Sequence, residues 1–212
     1  MSEQVSLNEA LDALFAAEKE SQRWYDDLAN RDRDALLTAL RRALDEAEAK
    51  DDAPTRLVAL ARLFGELQGP KVADALIDIL NSEYPEVRRE AGEHLQGLAS
   101  EQFKEVALAV ERALVRLPAG SVALIELPFV LMEPEFAEAG VATLFAKFLD
   151  HDDPDVVGAA LEGIAEIGDP SVMNAVRRLE GDRRTTALNE KPESIADLAA
   201  DALAELEEAA AR

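Results

Sequence analysis

Few residues of this chain have the type and spacing to do chemistry. His94 directly follows Glu93, a pair that could ligate a divalent metal, but metal sites converge several such ligands and the other histidine, His151, lies in a separate acidic turn. That turn, Asp150, His151, Asp152, Asp153 and Asp155, could attract a cation. It lacks the glycine and terminal glutamate of a calcium loop, and Asp153 before Pro154 reads instead as a helix cap. Arg183 and Arg184 beside Thr185 and Thr186 form a basic pair next to two hydroxyls, suited to a docking contact or a phosphorylation site, or to a surface loop paired with nearby carboxylates. With no cysteine there is no thiol nucleophile, no disulfide and no thiolate metal site. A nucleophile elbow and a phosphate-binding glycine loop are missing as well, and carboxylates such as Glu205, Glu207 and Glu208 have the spacing of a solvated helix surface. Neither catalysis nor a metal or cofactor is expected, and His94 reads as a packing residue.

The elements that would position any functional group are repeated helices. Val87, Ala91, Leu95 and Leu98, preceded by Pro85, recur 69 residues later as Val156, Ala160, Ile164 and Ile167, preceded by Pro154. Near the midpoint of that offset stand Ile125, Phe129 and Met132, while Leu60, Phe64, Leu67 and Ile195, Ala199, Leu203, Leu206 extend the series outward. A period near 34 residues, with apolar positions at helical spacing, predicts stacked helix pairs. Composition agrees: the chain is 48% hydrophobic but only 5% aromatic, its apolar set dominated by the strong helix formers Ala and Leu.

Prolines and capping residues punctuate these helices. Ser6 with Glu9 forms a capping box for a first helix over 6–29, whose stripe is Leu7, Leu11, Leu14, Phe15, Tyr25 and Leu28. The reading divides the chain into an N-terminal capping helix, 1–30, and a repeat solenoid, 31–212, within one domain overall. Trp24 and Tyr25 would then pack over the open end of the first repeat, because terminal repeats need a cap. A second helix is expected over about 32–50, with Pro54, Pro70, Pro85, Pro154 and Pro170 opening later ones. The stretch GDRRTTALNEKPES is an insertion with loop composition before the last helix.

The segments ADALIDILNSEYPEVRREAGEHLQGL and VATLFAKFLDHDDPDVVGAALEGIAEIGDPSV resemble HEAT repeats of the bacterial and archaeal type first associated with phycobilisome lyase subunits. Asp153-Pro154-x-Val156 followed by alanine, and the closing Ile167-Gly168-Asp169-Pro170, carry the resemblance, which spans about residues 32–208. It implies an all-α fold, a right-handed superhelix of about five helix pairs whose inner helices line a concave, protein-binding face. It also suggests three functions: a non-enzymatic scaffold or adaptor binding a helix or extended peptide, a lyase-type or chaperone-like factor for a chromophore- or cofactor-bearing protein, and DNA binding as in HEAT-like alkylpurine glycosylases. The formal net charge of -22 argues against phosphate backbones and anionic membranes as partners. The opening MSEQVSLNEALDA has neither a basic segment nor a long apolar run, so a cytoplasmic location is expected.

Helical geometry then sorts residues by face. With 87, 91, 95 and 98 toward the core, Glu86, Arg89, Glu93 and Gln96 point to the concave side, as do Thr55, Val58, Arg62 and Gly65 in the first repeat. In the fourth and fifth the set is Asp155, Gly158, Glu162, Ala165 and Ser194, Asp197, Asp201, Ala204. The third repeat departs. Its outward set is Gly120, Ala123, Leu127 and Val130, on a helix already apolar along Val122, Ile125, Phe129 and Met132, and Pro128 is expected to kink it. Such a helix is either covered on both sides or an interaction surface. The second alternative makes Leu127, Val130 and Leu131 an apolar hot spot, with Arg62, Arg89 and Glu93 on one flank and Glu162, Glu166, Asp197 and Asp201 on the other, and Arg183 and Arg184 as further loop contacts.

Overall fold

Proline and short polar side chains set most of the helix starts. In the computed structural model, which describes residues 6–132, 140–188 and 191–211, helix α1 (Leu7–Ala29) begins at the anticipated capping box: Glu9 N donates to Ser6 Oγ at 3.3 Å and Ser6 N to Glu9 Oε2 at 2.9 Å. Helices α2 (Arg33–Ala47), α3 (Ala53–Gly65) and α4 (Pro70–Leu80) follow, the last two with proline in the first turn. Element α5 (Pro85–Arg116) is two helical stretches that meet directly at a kink, where Gln102 leaves helical geometry with φ of -142° and ψ of 50°. Next come α6 (Val122–Leu131), α7 (Val141–Phe145) with a 3-10 turn Phe148–Asp150, and α8 (Pro154–Ile167). A 3-10 turn Pro170–Val172 leads into α9 (Met173–Arg177), and α10 (Ile195–Ala210) completes the described chain. Between α9 and α10 two short strands pair antiparallel, β1 (Thr185–Thr186) with β2 (Glu193–Ser194), an element that the sequence did not announce.

These helices form an all-α solenoid. The second member of each pair stacks on the next, α3 on the first half of α5, then α6, α8 and α10, and the first members form the opposing layer. Between the layers lies one continuous apolar core running from Leu36 to Leu206. The repeat positions sit where the periodicity puts them: Leu60, Phe64, Val87, Ala91, Leu95, Leu98, Val156, Ala160, Ile164, Ile195, Ala199, Leu203 and Leu206 are all buried. Glycine permits the closest approaches. A Cβ on Gly163 would lie 2.6 Å from the ring of Phe145, so α8 can seat against α7 only with glycine there. Polar side chains cross between repeats and tie the turns together. Asp153 accepts from Asp155 N at 3.0 Å as the α8 cap and from Gly120 N at 2.7 Å in the turn before α6, and Asn81 Oδ1 accepts from Ala123 N at 3.2 Å at the α6 start.

Helix α6 runs through Pro128 to Leu131, with the proline inside the element. One expectation changes here. Helix α1 meets α2 and α3 only near its C-terminal end, where Ser21, Tyr25 and Leu28 are half-buried; every residue from 7 to 20 is exposed, and so is Trp24. The end of the first repeat is therefore covered by one turn or two of α1, not by its length.

Candidate interaction surface

The outward face of the second-helix layer is where a partner would be met, and its most unusual member is α6. Its core side is one residue out of phase with the sequence reading. Leu124, Pro128 and Leu131, not Ile125, Phe129 and Met132, continue the series Ala91, Leu95, Leu98, at an offset of 33 rather than 34 residues. A one-residue shift turns a helix by about 100°. Leu127 and Leu131 consequently have 0% exposure and belong to the core, so the hot spot anticipated at these two residues is corrected. Val130 is half-buried, its Cγ2 3.3 Å from where a Cβ on Gly92 would stand, and so lies in the seam between α5 and α6.

With the phase corrected, the outward residues of α6 are Val122, Glu126 and Phe129, flanked by Ile125; all four are half-buried. Glu126 is the one charged residue of the helix and accepts from Arg88 Nε at 3.0 Å. The periodicity could not find this patch, because a helix apolar all round offers no contrast by which to choose a face.

On the N-terminal flank, Arg62, Arg89 and Glu93 are exposed as expected, and they are already engaged with neighbours. Arg62 Nε donates to Glu90 Oε1 at 2.8 Å, and Arg89 Nη1 to Glu93 Oε1 at 2.8 Å. The Arg62 guanidinium beside it holds the mostly buried Glu90 carboxyl below the usual carboxylate range. His94 Nε2 lies 3.5 Å from the same Glu90 oxygen, and the imidazole covers Gly65 on α3 so closely that a Cβ there would clash. His94 thus bridges two helices. A groove of about 420 Å³ opens beside this network between α1 and α3, lined by Tyr25, Val58, Ala59, Arg62 and Glu86.

The C-terminal flank is partly roofed. Asp155, expected to face outward, is taken by the insertion: its Oδ1 accepts from Thr186 Oγ1 at 2.7 Å and from Ala187 N at 2.8 Å. Thr186 and Leu188 lie over Gly158, whose absent side chain makes the room, so Gly158 is buried and the insertion covers the fourth repeat. Arg184 holds this roof in place. Its guanidinium donates to the carbonyls of His151 and Asp152, each at 2.9 Å, and to Asp182 Oδ2 at 2.6 Å, and that ion pair keeps the Asp182 carboxyl below its ordinary range. Arg184 is a bracket within the molecule and not a loop contact for a partner, while Arg183 is exposed. Thr185 is exposed and Thr186 buried. Beyond the roof, Glu166, Asp197 and Asp201 are exposed and Glu162 is half-buried; Asp197 also caps α10 with Ser194.

The acidic turn carries structure. Asp153 N donates to His151 Nδ1 at 3.1 Å, and among the described residues no group of three or more His, Asp or Glu is arranged to hold a metal ion. No described helix is long and apolar enough to cross a membrane.

No protein-family model and no curated protein matches the chain. Among solved structures, a designed armadillo repeat protein is similar over 86% of this chain and 98% of its own, with 16% identity and a TM-score of 0.37. A second, solved in complex with the peptide (KR)4, covers 87% and 98% with 17% identity and a TM-score of 0.38. A third, computationally designed for modular peptide recognition, covers 94% of each chain with 15% identity and a TM-score of 0.38. At these scores the likeness carries no argument about function, and the solenoid architecture rests on the chain's own packing.

Proposed function

We propose that the chain is a non-enzymatic protein-binding scaffold of HEAT-like type, which receives a helix or extended peptide along the outward face of its second-helix layer. One observation carries the reading: the middle helix of that row presents Val122, Ile125 and Phe129 partly uncovered, with one charged residue among them. Apolar residues at the centre of a contact, ringed by charge, are the usual anatomy of a binding hot spot. Here the ring is Arg62, Arg89 and Glu93 toward the N-terminus, with Glu162, Glu166, Asp197 and Asp201 toward the C-terminus. A partner segment would set apolar anchors on Phe129 and turn basic residues toward α8 and α10. Val130 contributes from the seam beside Phe129.

The test is binding of a purified partner, first recovered by affinity capture, to wild type and to Phe129→Glu combined with Arg89→Glu. Both positions are partly or fully exposed, so the fold should persist, as circular dichroism would check. An affinity loss of roughly 100-fold is expected for removal of a central anchor. Unchanged affinity in a folded double variant would place the contact elsewhere.

A further inference from the structure

A cavity of about 490 Å³ opens on the first-helix layer, between α2 and α4, on the side of the solenoid opposite the proposed contact surface. These two helices touch sparingly, and the small side chains Thr38 and Ala75 leave the gap open. Phe64 and Ala75 belong to the buried core and give the cavity an apolar floor, with half-buried Leu37 beside them.

Five charged side chains surround that floor, and four are bonded to neighbours. Arg41 donates to Asp78 across on α4 and lies 3.2 Å from Asp45, and Arg42 Nε lies 3.0 Å from Glu46. Asp74 accepts from Arg112 Nε and Nη2 at 3.0 and 3.1 Å, and Arg116 Nη1 reaches the second oxygen of Asp78 at 2.6 Å. Four carboxylates thus meet four guanidiniums, and Lys71 is left over. It is exposed and has no hydrogen-bond or ion-pair partner among the described residues, although Asp74 stands one turn away on the same face. Its place does nothing for the helix either. Helix α4 has no capping side chain and no acid in its first turn, and a cation there opposes the helix dipole.

We infer that this cavity binds a small monocarboxylate with an apolar body, its carboxylate on Lys71 Nζ and its body over Leu37 and Phe64. The volume lies in the range of small-molecule sites, and an apolar lining with a few placed polar groups is their usual make-up. A single free ammonium is a point charge that matches one anionic group, whereas a phosphate would call for the forked guanidiniums that are already bonded elsewhere. The chain's net charge of -22 does not forbid an anion here, because distant charges are screened beyond roughly 8 Å at physiological salt. This site stands independently of the scaffold reading.

Titration of the nitrogen-labelled full chain with sodium octanoate, followed by amide chemical shifts, tests the assignment. Saturable shifts confined to α2, the end of α3 and the start of α4 are expected, with a dissociation constant of about 1 mM or tighter. Lys71→Gln, at an exposed position where the fold should persist, should weaken binding by roughly 10-fold, and octanol should bind wild type more weakly than octanoate by a similar factor. Absence of saturable shifts, shifts centred on the exposed leucines of α1, equal binding of octanol and octanoate, or unchanged affinity in Lys71→Gln would each overturn the site.

Discussion

Leu127 shows what a single residue's phase decides. Its side chain is fully enclosed in the layer between α6 and its neighbours. Leu127→Ala should therefore cost about 2–5 kcal/mol of unfolding free energy, the range for truncating an enclosed leucine, measured by urea titration. A change under 1 kcal/mol would show that α6 exposes this face after all. At the same scale, most of the core was readable. Leu95 has Glu93, and Ile164 has Glu162 and Glu166, two residues away and so on the far side of the helix, and contrast of that kind fixes a helix face. Around Leu127 the contrast vanishes, and the turn before α6 is one residue shorter than the repeat offset suggested. Periodicity then had no means of separating Leu124 from Ile125.

Among the elements, helix starts were legible because proline and capping side chains act locally. Pro54, Pro70, Pro85 and Pro154 each stand in the first turn of a helix, and Ser6, Asp153 and Asp169 each accept the backbone bond expected of them. The insertion was legible only as a loop. Its folding onto α8 depends on contacts more than 30 residues apart in sequence, Arg184 with the 151–152 carbonyls and Thr186 with Asp155, which no local pattern records. Arg184→Ala should free this roof. We expect faster proteolysis between residues 181 and 193 and faster amide exchange along α8, with a global stability loss of about 1–2 kcal/mol, since several charge-assisted hydrogen bonds are lost at a partly exposed site. If cleavage and exchange match wild type, the roof is held by Leu188 and Thr186 alone.

For the molecule as a whole, charge is the dominant long-range force. Many ion pairs are present among the described residues, both between helix neighbours, such as Arg42 with Glu46, and between elements, such as Arg112 with Asp74, but most lie at the surface and contribute little each. The net charge of -22 remains, and it repels itself in the compact state. Raising sodium chloride from 10 mM to 500 mM should therefore raise the melting temperature by a few degrees, followed by circular dichroism. A fall would mean that the ion pairs, taken together, outweigh the repulsion.

The bend at Gln102 has a consequence for how such a stack comes apart. In an array whose repeats are joined by turns, each junction can open by itself, and unfolding proceeds by peeling units from either end. Here the second and third pairs meet directly at the Gln102 kink, where two helical stretches of α5 join with no loop between them. Loss of either pair therefore pulls directly on the end of the other, and the middle of the solenoid should let go more cooperatively than its two ends, which fray one helix at a time.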